Sequence, residues 1–157
     1  MLIYIIRHGD AHHDSTTGRD RDRTLTTLGH EQARAVGVYL AGCRPMPGRV
    51  IGSPFVRAQE TGRAACEVLG MTLETDDRLG ADRGLSELIE VLGDHRDEEA
   101  VAIVSHMPTV GQAWSLLVND VGAKEASLKT GEVVVVRVDG DELVGGGVLI
   151  EVFRMGR

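Results

Sequence analysis

Three apolar, strand-forming runs in this chain each stop at a polar pair, and that repetition most constrains its fold. Residues 2–6 run into Arg7-His8-Gly9, residues 49–52 into Ser53-Pro54, and residues 100–104 into Ser105-His106. Runs of Val, Ile, Leu and Ala of this length predict buried strands. In open α/β sheets, ligands bind just beyond the carboxyl ends of such strands. The first end has the chemistry for an anion. Arg7 offers a planar five-donor fork, His8 can be neutral near pH 7, and Gly9 lets the backbone turn sharply and approach a ligand. A lone Arg-His-Gly could be a strand end in water, so the other two ends decide the matter.

Between the strands the pattern turns helical. Thr26 and Thr27 are N-cap candidates for a helix over residues 28–40, with Leu28, Ala33, Val36 and Leu40 on one face. A second helix is expected over residues 56–69, closed by Gly70. A short one follows near 86–92 and another over 109–118. Residues 132–138 and 148–153 read as a late hairpin. Strands alternating with helices predict one α/β domain over residues 1–157. Its sheet is mainly parallel and flanked by helices, and the hairpin adds an antiparallel edge. At 157 residues the chain can bury a real core, which must be aliphatic because aromatics are only 3%.

If the three strands are neighbours, their ends meet on one side of the sheet. Arg7, His8, Arg57 (in the first turn of the second helix) and His106 would then converge near a helix N-terminus. That combination suits a dianionic phosphoryl group. Arg7-His8-Gly9, Leu25-Thr26-Thr27-Leu28-Gly29, Ser53-Pro54 through Thr61 and Ser105-His106 together resemble the histidine phosphatase superfamily, also called the phosphoglycerate mutase-like fold. Arg7-His8-Gly9-Asp10-Ala11, Ser53-Pro54-Phe55-Val56-Arg57-Ala58 and Ser105-His106-Met107-Pro108 most resemble its short SixA-type phosphohistidine phosphatases.

The resemblance implies that His8 attacks phosphorus and is transiently phosphorylated, while Arg7, Arg57 and His106 hold the phosphoryl oxygens. Gly9, Arg23 and Ser53 are the further substrate-binding candidates. Neither metal nor cofactor is implied, and no cluster of Asp, Glu and His points to one. The chain departs from the wider family at the general acid. The resemblance places that acid near Asp77-Arg78-Leu79-Gly80-Ala81, and no carboxylate falls where a mutase would have its glutamate. Asp82 and Glu87 stand close by and read as solvated-loop and helix-start residues. An alkoxide leaves poorly without a proton, whereas an imidazole protonated on its other nitrogen leaves neutral. The departure therefore favours phosphohistidine over a sugar phosphate.

A phosphohistidine-bearing phosphotransfer or signalling protein is the expected partner. A small-molecule phosphomonoesterase of the same superfamily and a non-catalytic phosphate-binding module are the alternatives. The formal net charge of -7 argues against nucleic acid. No apolar run is long enough to span a membrane. Cys43 and Cys66 have no metal-site spacing and fit a reducing, cytoplasmic setting. No segment reads as an interface, so a monomer is expected. Arg19, Arg21 and Arg23 alternate with Asp20 and Asp22 as in a solvated loop. His12-His13 is too isolated to form a metal site, and Trp114 reads as helix-face packing.

Overall fold

A computed structural model describes residues 1–119 and 126–156. Its sheet has six strands: β1 (Leu2–Arg7), β2 (Arg49–Gly52), β3 (Glu74–Thr75), β4 (Ala100–Ser105), β5 (Val133–Val138) and β6 (Gly147–Phe153), in the order β3-β2-β4-β1-β5-β6. The first four are parallel to one another, and the β1–β5 and β5–β6 pairs are antiparallel. Four helices, α1 (Thr27–Gly42), α2 (Val56–Leu69), α3 (Leu85–Asp94) and α4 (Thr109–Val118), connect them. This is the expected mixed α/β architecture with its C-terminal antiparallel hairpin. Only β3, a two-residue edge strand inside the acidic 71–85 stretch, lacks a forecast.

Strand alternation divides the core into two layers. Ile3, Ile5, Val101, Ile103, Val134 and Val136 face Leu88, Val91 and Leu92 of α3 and Val110, Ala113 and Leu117 of α4. Tyr4, Ile6, Val50, Ala102, Val104, Val133 and Val135 face Val36 and Leu40 of α1 and Ala58, Ala65 and Cys66 of α2. Trp114 packs against the first layer, as its helix position predicts. Burying each large aliphatic side chain contributes about 1.5–3 kcal/mol, so this aliphatic core compensates for the shortage of rings. On β6, Val148, Leu149, Ile150 and Val152 remain exposed at 42–49%, and a register shift opposite Val135/Val136 bends the strand.

The topology creates the site. From β1 the chain passes through α1 and α2 on one face to reach β2 and β3. It then crosses by α3 to insert β4 between β2 and β1, and α4 leaves β4 on the opposite face. The helices following β1 and β4 therefore diverge to opposite faces, which opens a crevice at the carboxyl ends of these two adjacent strands. Arg7 and Ser105 are direct partners in the β1–β4 register, so His8 and His106 emerge side by side.

Candidate active site

His8 follows the last residue of β1 and is almost fully buried. Its backbone N–H donates to Ser105 O at 3.1 Å, continuing the β1–β4 ladder by one residue. The ring nitrogen Nδ1 lies 2.7 Å from Gly9 O. A carbonyl can only accept, so Nδ1 carries the proton and Nε2 keeps its lone pair. Arg57 Nε donates to that Nε2 at 3.3 Å. Burial pushes the His8 pKa down to about 4. The Gly9 carbonyl opposes this, and the charges of Arg57, Arg7 and Arg23 reinforce it. The imidazole is therefore neutral and oriented at neutral pH, with its free nitrogen facing a cation.

The second histidine is even less basic. His106 follows β4 and stacks obliquely on His8, with ring centroids 5.1 Å apart. Burial drives its pKa down to about 2, aided by the positive charge His8 would carry and by Arg57. Its Nε2 lies 2.7 Å from Ser53 Oγ. Ser53 Oγ also accepts from Phe55 N–H, so its hydroxyl hydrogen is available to His106 Nε2, an arrangement in which the ring proton sits on Nδ1. That Nδ1 is buried and has no hydrogen-bond partner, and neither has Arg7 Nε. Buried donors without partners are rare. These two belong to the pair of residues that end β1 and follow β4.

Arg57 sits in the opening turn of α2, 5% exposed. Its Nη1 donates to Asp20 O at 2.9 Å and its Nη2 to Asp20 Oδ2 at 3.2 Å. Asp20 lies in a single 3-10 turn (Asp20–Asp22) of the loop between β1 and α1. Arg23 Nη1 also donates to the Asp20 carboxylate, at 2.9 Å, and Arg23 Nε to His12 O at 2.6 Å. These contacts, Arg23 first, hold the Asp20 carboxyl below the usual carboxylate range. Arg7 Nη1 donates to Leu128 O at 2.8 Å, and burial together with the nearby Arg57 lowers its pKa.

The Leu25–Gly29 segment supports the His8 turn and does not reach the pocket. Thr26 Oγ1 caps α1 by accepting from Gly29 N and donates to Asp10 Oδ2 at 2.6 Å. Gly29 packs so closely that an added Cβ would lie 2.0 Å from Asp10 O, and one on Gly9 would lie 2.6 Å from Gly29 O. Two glycines thus lock the turn after His8 onto the start of α1. Thr61 completes the lock, accepting from Gly9 N at 3.0 Å and donating to Arg57 O at 2.7 Å.

Arg7, His8, Arg57 and His106 are thus brought together. The other candidates stand in a second tier. The Gly9 N–H is committed to Thr61 and is not a free anion donor. Ser53 is hydrogen-bonded to His106, and Arg23 bonds the Asp20 carboxylate that Arg57 also contacts. Glu87 is a helix-start residue that accepts from Gly84 N and from Arg83, and Asp82 is exposed. Asp20 is the carboxylate that touches a site cation. The alternating Arg/Asp pattern gave no sign of this, because a solvated loop and a loop folded onto Arg57 look alike in sequence. Phe55 was missed for the same reason. Its ring packs edge-on against His106, with centroids 5.1 Å apart.

A strand-end histidine with one free nitrogen, a second histidine beside it and two converging arginines form a site built for a tetrahedral oxyanion. Residues 3–81 match the family model of the histidine phosphatase superfamily (branch 1), and the chain belongs to that superfamily. It is 34% identical to the phosphohistidine phosphatase SixA of Escherichia coli (strain K12), over 71% of this chain and 70% of that protein. A phosphohistidine phosphatase SixA homolog of Haemophilus influenzae is 32% identical, over 71% and 74% of the two chains. Among solved structures, that of the protein histidine phosphatase SixA complexed with tungstate superposes with a TM-score of 0.83. It is 27% identical, and the match covers 97% of this chain and 96% of that one.

Proposed function

We propose that the chain is a protein phosphohistidine phosphatase that works through a phosphohistidine on His8. The observation that carries this reading is the arrangement at His8 itself: Nδ1–H fixed on Gly9 O and a neutral Nε2 beside Arg57. In the first step the Nε2 lone pair attacks phosphorus. The P–N bond to the substrate imidazole breaks, and that imidazole departs with the bonding pair. In the second step water attacks the phosphorus on His8, releasing phosphate and restoring neutral Nε2. Two easier displacements replace one hard one.

Arg7, Arg57 and the Nδ1–H of His106 are assigned to the transferring oxygens, where fixed cations and donors in a buried site stabilise the charge most strongly. The relative bound to tungstate supports this assignment, because tungstate is itself a tetrahedral oxyanion. Gly9 and Ser53 support substrate binding by shaping the His8 turn and orienting His106, and Arg23 does so through Asp20. No step calls on a metal or cofactor.

Phosphohistidine is favoured over a small phosphomonoester because Glu87 is held at the start of α3 by Gly84 N–H and Arg83 and Asp82 is exposed. Moreover α3, the main element between β3 and β4, is a short helix whose apolar face is spent on the core. So short a β3–β4 connection suits a phosphohistidine presented by a phosphotransfer or signalling protein. We assign the chain to a single domain over residues 1–157, working as a cytoplasmic monomer. Two free cysteines and the absence, among the described residues, of a helix long and apolar enough to cross a membrane agree with that setting.

The test compares phosphate release from a phosphohistidine-bearing transfer domain with release from aryl and sugar phosphates. The phosphoprotein is expected to win by orders of magnitude in kcat/KM. Faster turnover of the sugar or aryl phosphates would move the reading to the phosphomonoesterase, and binding without turnover to the phosphate-binding module.

A further inference from the structure

Arg21 is unlike the arginines around it. Arg23 and Arg57 both share the Asp20 carboxylate, and the Asp22 carboxylate accepts from Thr17 Oγ1 at 2.6 Å. The acids of the loop that face these groups are therefore already engaged. Arg21 is exposed and has neither a hydrogen bond nor an ion pair among the described residues. It is not loose, however. Its guanidinium carbon lies 5.5 Å from the centroid of the Phe55 ring, and the Arg57 guanidinium carbon lies 5.2 Å from that same ring. Phe55 in turn touches His106. One aromatic ring thus joins the cation inside the site to a second, unspent cation at its mouth.

We propose that Arg21 is a specificity-determining residue that grips a carboxylate flanking the phosphohistidine on the substrate protein; the inference rests on the phosphohistidine reading above. A guanidinium fork matches a carboxylate in bidentate geometry. Contact with a ring face holds the fork at a fixed height, so less side-chain freedom is lost when the partner arrives. The remainder of the molecule makes this local charge useful. A chain of net charge -7 repels an acidic partner in general, so a cation at the mouth selects the orientation in which an acidic flank meets the site. The phosphoryl group goes to Arg7 and Arg57, and its neighbour on the substrate goes to Arg21.

The test uses two synthetic phosphohistidine peptides, one with Glu and one with Gln at the positions flanking phosphohistidine, with phosphoramidate as a flank-free substrate. For the wild type, KM for the Glu peptide should be lower by roughly fivefold at low ionic strength, the most a single exposed ion pair supplies. Added salt should erase the difference, because the charges are screened over about 10 Å at 0.1 M. Arg21→Ala should remove the preference, Arg21→Lys should keep part of it, and Arg21→Glu should invert it. Phosphoramidate turnover should stay at the wild-type rate in all three. Equal KM values for the two peptides in the wild type overturn the proposal. So does a preference that survives Arg21→Glu, or a fall in phosphoramidate turnover matching the loss on peptides. If the wild type turns over phosphoramidate but neither peptide, the phosphohistidine-protein reading itself fails, and this inference with it.

Discussion

Replacing Arg57 with Met removes the cation 3.3 Å from the His8 nucleophile while keeping an apolar side chain of similar length, and so separates the two causes of that histidine's low basicity. The His8 pKa is pushed from an ordinary 6.5 to about 4. At about 1.4 kcal/mol per pKa unit, the imidazolium is disfavoured by roughly 3 kcal/mol. Burial leads, the Gly9 carbonyl works against it, and Arg57 comes first among the three arginines that reinforce it. Arg57 should therefore account for less than half, on the order of one pKa unit. Ring carbon–proton resonances followed by NMR against pH, with His8 assigned from a His8→Gln variant, should show a wild-type midpoint near 4. In Arg57→Met the midpoint should rise by about one unit and remain below 6.5. A wild-type midpoint near 6.5 would refute the buried, neutral nucleophile. Full return to 6.5 in the variant would refute burial as the leading cause.

Stability should carry the same signature. In the unfolded chain both histidines take up protons below about pH 6.5, whereas the folded pair stays neutral until about 4 and about 2. The unfolded state therefore binds more protons, and stability should fall as pH drops from 6.5 towards 4. Urea melts of His8→Gln should show a shallower fall, and an unchanged slope would contradict the pKa shift. Gly29→Ala forces a Cβ against Asp10 O and should cost about 2–4 kcal/mol, read as a lowered Tm together with lost activity; a variant as stable and active as the wild type would show that the turn is not locked there. Asp20→Ala frees Nη2 of Arg57, while Nη1 keeps the backbone carbonyl of residue 20, and should tighten inorganic phosphate binding up to about fivefold by calorimetry, since the Asp20 side chain is largely exposed. Weaker binding would instead make Asp20 a positioning residue for Arg57.

The strand ends were legible because their signal is periodic. β-branched runs stop at Arg7, Ser53 and Ser105, and a parallel sheet has few ways to arrange them. Thr26 and Gly70 were legible as helix ends for a similar reason, since capping chemistry is local. The folding-back of Asp20 onto Arg57 was not. It depends on the path of a 3-10 turn that no periodicity encodes, and an Arg/Asp alternation is equally at home in water. Gly9 shows a subtler limit. Its residue type correctly marked a close approach, but its N–H is satisfied by Thr61, 52 positions away, and only the tertiary fold reveals that commitment. β3 was too short to rise above the acidic stretch around it.

The central claim, transfer of the phosphoryl group to His8, is tested most directly by trapping the enzyme in mid-reaction. The protein is mixed with a phosphohistidine peptide, quenched in alkali within the first turnover and examined by mass spectrometry. An acid-labile, alkali-stable phosphate on the peptide containing His8, absent from His8→Ala together with all turnover, is the predicted result. Phosphate on another residue, or turnover that survives His8→Ala, would contradict it.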